Sequence, residues 1–213
     1  RIDASLAGCA NASSPEIPAA MSRGTIALLG TSADPPTIGH QALLEGLLGE
    51  FQRVVTWASD NPSKRHGAGL KQRSDLLDRV VQTIGNPRLQ LAQDLSSPYA
   101  ITTLERARQR WPESPLCFVV GSDLATQIPR WKHCDQWLGL CELGIVPRKG
   151  WPIEDGDLQG LERLGARPRI LSLDIPATAS STVRQATGDD QIPDTLWPLL
   201  LEHNLYGYHS SSA

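Results

Sequence analysis

No apolar run in the 213 residues approaches the roughly eighteen needed to cross a bilayer, so no segment reads as membrane-spanning. Positive charge is not in excess either. Lys and Arg total 20 against 23 for Asp and Glu, a formal charge of -3, which argues against a broad nucleic-acid-binding face. Cysteine is sparse: Cys9, Cys117, Cys134 and Cys141 form no CxxC pair. That disfavours zinc and a disulfide framework, makes a buried thiol of Cys117 and fits a reducing, cytoplasmic setting. With 18 glycines and 16 prolines the chain is neither collagenous nor of low complexity. No GxGxxG follows the first strand-like run and there is no Walker loop, so the usual dinucleotide and P-loop fingerprints are both missing.

What is present suffices for one medium domain: 40% apolar and 20% charged residues can fill a core without metal or disulfide. Residues 1–20 are Ala/Ser-rich with three charges and have little with which to pack, so they read as a disordered extension. Leu6–Cys9 spell LAGC, like a bacterial lipoprotein box, but only five residues precede Leu6, too few for a basic start and an apolar stretch. Met21, the only methionine, then heads a domain over 21–209.

From Thr25 short apolar runs alternate with amphipathic stretches. Strands are expected at 25–30, 54–59, 88–93, 116–121, 142–148 and 169–174. Leu44, Leu47, Leu48 and Phe51 make one helical stripe, and Leu77, Val80, Val81 and Ile84 another. Further helices are expected over 99–111, 129–139 and 194–204. Such alternation implies a single α/β domain, a Rossmann-like parallel sheet with helices on both faces, with ligands at the carboxyl ends of its strands.

Two helix starts at that edge break the same rule. After the first strand comes GTSADPPTIGH, Gly30 to His40. Gly30 permits close backbone approach, the two prolines stiffen the turn, and Thr37 is the natural N-cap. Ile38, Gly39 and His40 then form the first turn, where a carboxylate would suit the helix dipole better than an imidazole. After the last strand, Ser181 caps Thr182, Val183 and Arg184, again with a cationic side chain at the third helical position. Together, free amides, hydroxyls, His40 and Arg184 suggest a polyphosphate cradle.

At these residues the chain resembles the nicotinate/nicotinamide mononucleotide adenylyltransferases, within the nucleotidyltransferase superfamily marked by a (H/T)xGH motif. GTSADPPTIGH is similar to the first family motif and SSTVR to the second; FVVGSD (118–123), PRW (129–131), VPRKGWP (146–152) and PYAITTL (98–104) match four more in order. The likeness runs from about Thr25 to Tyr206. Thr37 stands where most members have a first histidine, Ala33 replaces a phenylalanine, and Thr31 replaces a common glycine.

The resemblance implies transfer of AMP from ATP to a pyridine mononucleotide, with Mg²⁺ carried by the ATP phosphates and no dedicated protein metal site. It places His40 and Arg184 at the reacting phosphates, with Gly30, Thr31, Thr37, Gly39, Lys64, Ser181 and Thr182 around ATP, and Asp123 on a ribose hydroxyl. Tyr99, Thr102, Thr103, Trp131 and Arg148 fall on the pyridine mononucleotide side, with Trp131 stacked on the ring. Ordinary alternatives stand beside each: Lys64 a solvated lysine, Asp123 a helix cap, Trp131 or nearby Trp137 core packing, Arg148 an exposed strand end. Two other functions stay open: a related transferase acting on phosphopantetheine or a CDP-alcohol precursor, and an ATP-binding sensor without turnover. Motif spacing leans toward the nicotinate substrate.

Overall fold

β-Strands rich in Val, Ile and Leu on both faces need cover on both faces, and this sequence supplies it. A computed structural model of the chain describes residues 24–176 and 188–210. Six strands, β1 (Ile26–Thr31), β2 (Arg53–Ala58), β3 (Leu89–Leu91), β4 (Leu116–Gly121), β5 (Glu142–Val146) and β6 (Pro168–Ile170), form one sheet in the order β3-β2-β1-β4-β5-β6. Every pairing is parallel. The helices are α1 (Ile38–Glu50), α2 (Leu70–Ile84), α3 (Ala100–Arg110), α4 (Ser122–Ala125), α5 (Cys134–Trp137), α6 (Asp155–Arg163) and α7 (Trp197–Glu202).

Alternate side chains of each strand feed two cores. Ala27 and Leu29 of β1 with Cys117 and Val119 of β4 pack under α1, α2 and α7, whose Leu44, Leu47, Leu76, Leu77 and Leu200 are buried. Ile26, Leu28, Phe118 and Val120 face the other way, onto Leu104 of α3, Trp137 of α5 and Leu161 of α6. The strand order reverses between β1 and β4, so the crevice at their carboxyl ends is where a ligand is expected. Burial pushes the Cys117 and Cys141 thiols up to about 12, as suits structural cysteines.

Three expected elements differ in detail. The 129–139 helix breaks into a 3₁₀ turn at Ile128–Arg130, a bend at His133 (φ 56°), and α5. The last expected strand stops at Ile170, although Leu171 still donates to the Ile145 carbonyl. The C-terminal helix begins as a 3₁₀ turn at Asp194–Leu196 and becomes α7 where Pro198 accepts an N-terminal position. Helix α6 was not anticipated: two glycines dilute its pattern, but Glu154 closes a capping box with Asp157 at its start. Among the described residues no helix is long and apolar enough to cross a membrane. Residues 1–20, Met21 and the SSTVR stretch lie outside the described residues.

Candidate active site

Gly30, in the fifth position of β1, lies beside Trp57 of β2. A Cβ there would stand 2.7 Å from the indole Nε1, so glycine is needed at this position for packing within the sheet. Thr31 ends the strand, its carbonyl taking the Ser59 amide at 2.7 Å and its hydroxyl accepting from the Ala33 amide at 3.3 Å. Ala33 has φ 47° and is buried, as is Gly39 in the first turn of α1.

Asp34, 2% exposed, is the hub of the following loops. Its carboxylate accepts from the Gly67 amide at 2.8 Å, the Ala68 amide at 3.2 Å and the Tyr206 hydroxyl at 2.6 Å. Buried Arg73 completes the frame by donating to the carbonyls of Ser32, Ser59 and Ala68. Burial lowers the Arg73 pKa from its ordinary value, and the Asp34 carboxylate opposes that shift. Sequence reading missed this frame. The available signal was a lone arginine at the head of the α2 stripe, 73-76-77-80, where an unpaired charge would be costly. A cleft of about 210 Å³ opens beside it, lined by Ser32, Asp34, Lys64, Arg65 and His66. Lys64 lies in this basic loop, between β2 and α2.

Thr37 caps α1 as the sequence indicates, and His40 supplies the other half of the cap. The Thr37 amide donates to His40 Nδ1 at 2.9 Å, and the Thr37 hydroxyl is 3.0 Å from the same nitrogen. The imidazole thus occupies the place that Glu or Gln holds in an ordinary capping box. Because Nδ1 accepts, the ring proton of the neutral form sits on Nε2, which is thereby a donor. Desolvation first, and the Arg148 charge second, pull the His40 pKa down to about 4, so the ring is neutral at pH 7.

Arg148 follows β5, Asp123 follows β4, and the two meet. The Arg148 Nη1 donates to Asp123 Oδ2 at 2.8 Å. The Arg148 amide donates to the buried Ser122 hydroxyl at 2.8 Å, while its carbonyl takes the Trp151 amide at 3.0 Å. Gly121 leaves room for the carboxylate: a Cβ would fall 2.5 Å from Asp123 Oδ1. Side chains from the ends of β4 and β5 thereby meet beside the reversal of strand order, and the Arg148 charge acts on His40 of α1.

The residues expected on the pyridine side each have neighbours of their own. Lys132 Nζ lies 4.9 Å over the Tyr99 ring, joining the loop after α4 to the start of α3. Trp131 is half-buried, with its ring 6.1 Å from that of Trp137, which is fully buried core. Thr102 is half-buried, whereas the buried Thr103 hydroxyl donates to the Leu95 carbonyl at 2.7 Å and so braces the chain before α3. Ser181, Thr182 and Arg184 lie outside the described residues. Among the described residues no group of three or more His, Cys, Asp or Glu is arranged to hold a metal ion.

The sequence model of the Cytidylyltransferase-like family matches residues 28–211. The chain belongs to that family. Within it, a Synechocystis protein named "Probable nicotinate-nucleotide adenylyltransferase" is 37% identical over 196 residues, covering 85% of this chain and 98% of its own. A Chlorobium luteolum protein of the same name is 29% identical over 85% of this chain and 97% of its own. Among solved structures, the Plasmodium falciparum nicotinic acid mononucleotide adenylyltransferase complexed with NaAD superposes with a TM-score of 0.72. It covers 88% of this chain and 99% of that one at 16% identity, a likeness of fold.

Proposed function

We propose that the chain is a nicotinate-nucleotide adenylyltransferase, transferring AMP from ATP to nicotinate mononucleotide and releasing pyrophosphate. The observation that carries this reading is His40, held by the Thr37 amide at the head of α1, which leaves its Nε2–H to donate, with burial and the Arg148 charge both favouring the neutral ring. A phosphate oxygen of the mononucleotide attacks the α-phosphorus of ATP; the bond from that phosphorus to the bridging oxygen breaks, and pyrophosphate leaves with the electron pair. The attacking phosphate is already ionised at pH 7, so no protein base is required. The demands are in-line positioning and stabilisation of negative charge on the phosphates.

In this reading ATP enters as its Mg²⁺ complex, the ion held by the phosphates. His40 Nε2–H and the α1 amides donate to phosphate oxygens, with Thr37, Gly39, Thr31 and Gly30 shaping the approach. Lys64 reaches the outer phosphates from the basic cleft, and Ser181, Thr182 and Arg184 hold the departing pyrophosphate. Trp131 stacks on the nicotinate ring, and the start of α3 at Tyr99 and Thr102 receives its carboxylate through main-chain amides. Relatives named for the nicotinate substrate support the acid over the amide.

The test is pyrophosphate release from ATP and Mg²⁺ with nicotinate mononucleotide, nicotinamide mononucleotide or phosphopantetheine as acceptor. Fastest release with the nicotinate substrate is expected. Release with phosphopantetheine alone, or ATP binding without release, would overturn the proposal.

A further inference from the structure

The Asp123–Arg148 pair joins two groups that the sequence assigns to different substrates, a ribose acceptor and a phosphate donor. The carboxylate can serve both. Oδ2 takes the Arg148 Nη1 at 2.8 Å, while Oδ1 is turned back over Gly121, where only a glycine leaves space for it. Arg148 is half-exposed, with 50% of its side chain open to solvent, yet its backbone is fixed on both sides, by Ser122 and by the turn to Trp151. Its charge also acts on His40 across the β1/β4 crevice. A long cationic side chain at that exposure normally samples many rotamers and loses that freedom when it is fixed on a ligand. A carboxylate clamp at its tip reduces that loss in advance.

We infer that Asp123 is a positioning residue that aims the Arg148 guanidinium at the incoming mononucleotide phosphate, so that one carboxylate links ribose recognition to neutralisation of the nucleophile. The inference rests on the adenylyltransferase reading above. It makes a prediction of opposite sign to simple electrostatics. An acidic group near an anion site repels the anion, so its removal alone should tighten binding. If Asp123 instead aims Arg148, its removal weakens binding.

The experiment is calorimetric titration of nicotinate mononucleotide into the protein, which needs no turnover. Asp123→Asn keeps an acceptor for the ribose but loses the charged clamp, and about fivefold weaker mononucleotide binding is expected. In the Arg148→Ala background, where there is nothing left to aim, the same substitution should leave affinity unchanged or tighten it. Asp123→Glu, which keeps the charge but displaces the carboxylate, should also weaken binding. This gives a second reading if the asparagine variant folds poorly. Unchanged or tighter binding by both single variants overturns the inference, as does equal weakening in the two Arg148 backgrounds. Wild-type turnover with nicotinate mononucleotide separately decides the underlying reading.

Discussion

His40→Glu separates the two tasks assigned to His40. At the third position of α1 the imidazole accepts the Thr37 amide, and the proposed chemistry uses only its other nitrogen. Glutamate is the usual residue there, so the cap should survive, and a negative charge in the first turn gains about 0.3–1 kcal/mol from the helix dipole. Part of that gain offsets the desolvation of a half-buried carboxylate beside Arg148. His40→Ala, in contrast, leaves the Thr37 amide without its acceptor, at a cost of about 1 kcal/mol. Chemical denaturation should therefore place His40→Glu within about 1 kcal/mol of the parent and above His40→Ala. In thermal melts of a chain this size each kcal/mol is worth about 2–4 °C. Pyrophosphate release should fall by at least about a hundredfold in both, because a carboxylate facing the phosphates replaces a donor by a repulsion. Equal destabilisation by Glu and Ala would refute the cap; a glutamate variant retaining a tenth of the activity would remove His40 from the phosphates.

Three more outcomes follow from the same geometry. The His40 ring proton, followed by NMR, should not titrate until about pH 4. Since the folded pKa lies below the unfolded value of 6.5, the unfolded chain binds the extra proton between those limits. The stability tied to His40, at most about 3 kcal/mol for this half-buried ring, is therefore full above pH 6.5 and lost as pH falls toward 4. A ring titrating near 6.5 would disprove this. Gly30→Ala drives a methyl to 2.7 Å from the Trp57 indole and should cost about 1–3 kcal/mol in urea unfolding; a neutral result would mean that the strands slide apart freely. Tyr206→Phe removes the hydroxyl that bonds Asp34 at 2.6 Å and should lower stability by about 1–2 kcal/mol, measured the same way, with no change meaning that the C-terminal segment is not tied to the first motif.

The parallel sheet was legible because β1 and β4 are short apolar runs, because α2 carries a strong helical stripe, and because strand–helix alternation admits few topologies. Helix α6 was not, since Gly156 and Gly160 break its pattern and its capping pair is acidic on both sides. The 129–139 stretch read as one helix because its apolar spacing says nothing about the left-handed turn at His133. The reason for Gly30 was equally hidden: a close approach was foreseen, but the indole that fills the space comes from a neighbouring strand. The Asp34–Arg73–Tyr206 frame spans 172 residues between its ends, and no local pattern reports a contact of that range.

His40 shows how a local irregularity becomes informative once its partner is known. By propensity alone it disfavours the helix start; in place, it replaces a capping carboxylate with a neutral acceptor and keeps a second nitrogen for donation. A carboxylate at that position would cap equally well but repel a triphosphate, and a charged imidazole could not accept the Thr37 amide at Nδ1. Only the neutral ring satisfies both the cap and the proposed phosphate contact. That explains why burial and the nearby Arg148 charge act in the same direction on it, both against protonation. Arg148 thus has a use before any substrate arrives: held by Asp123, it adds to burial, the larger cause, in keeping His40 neutral.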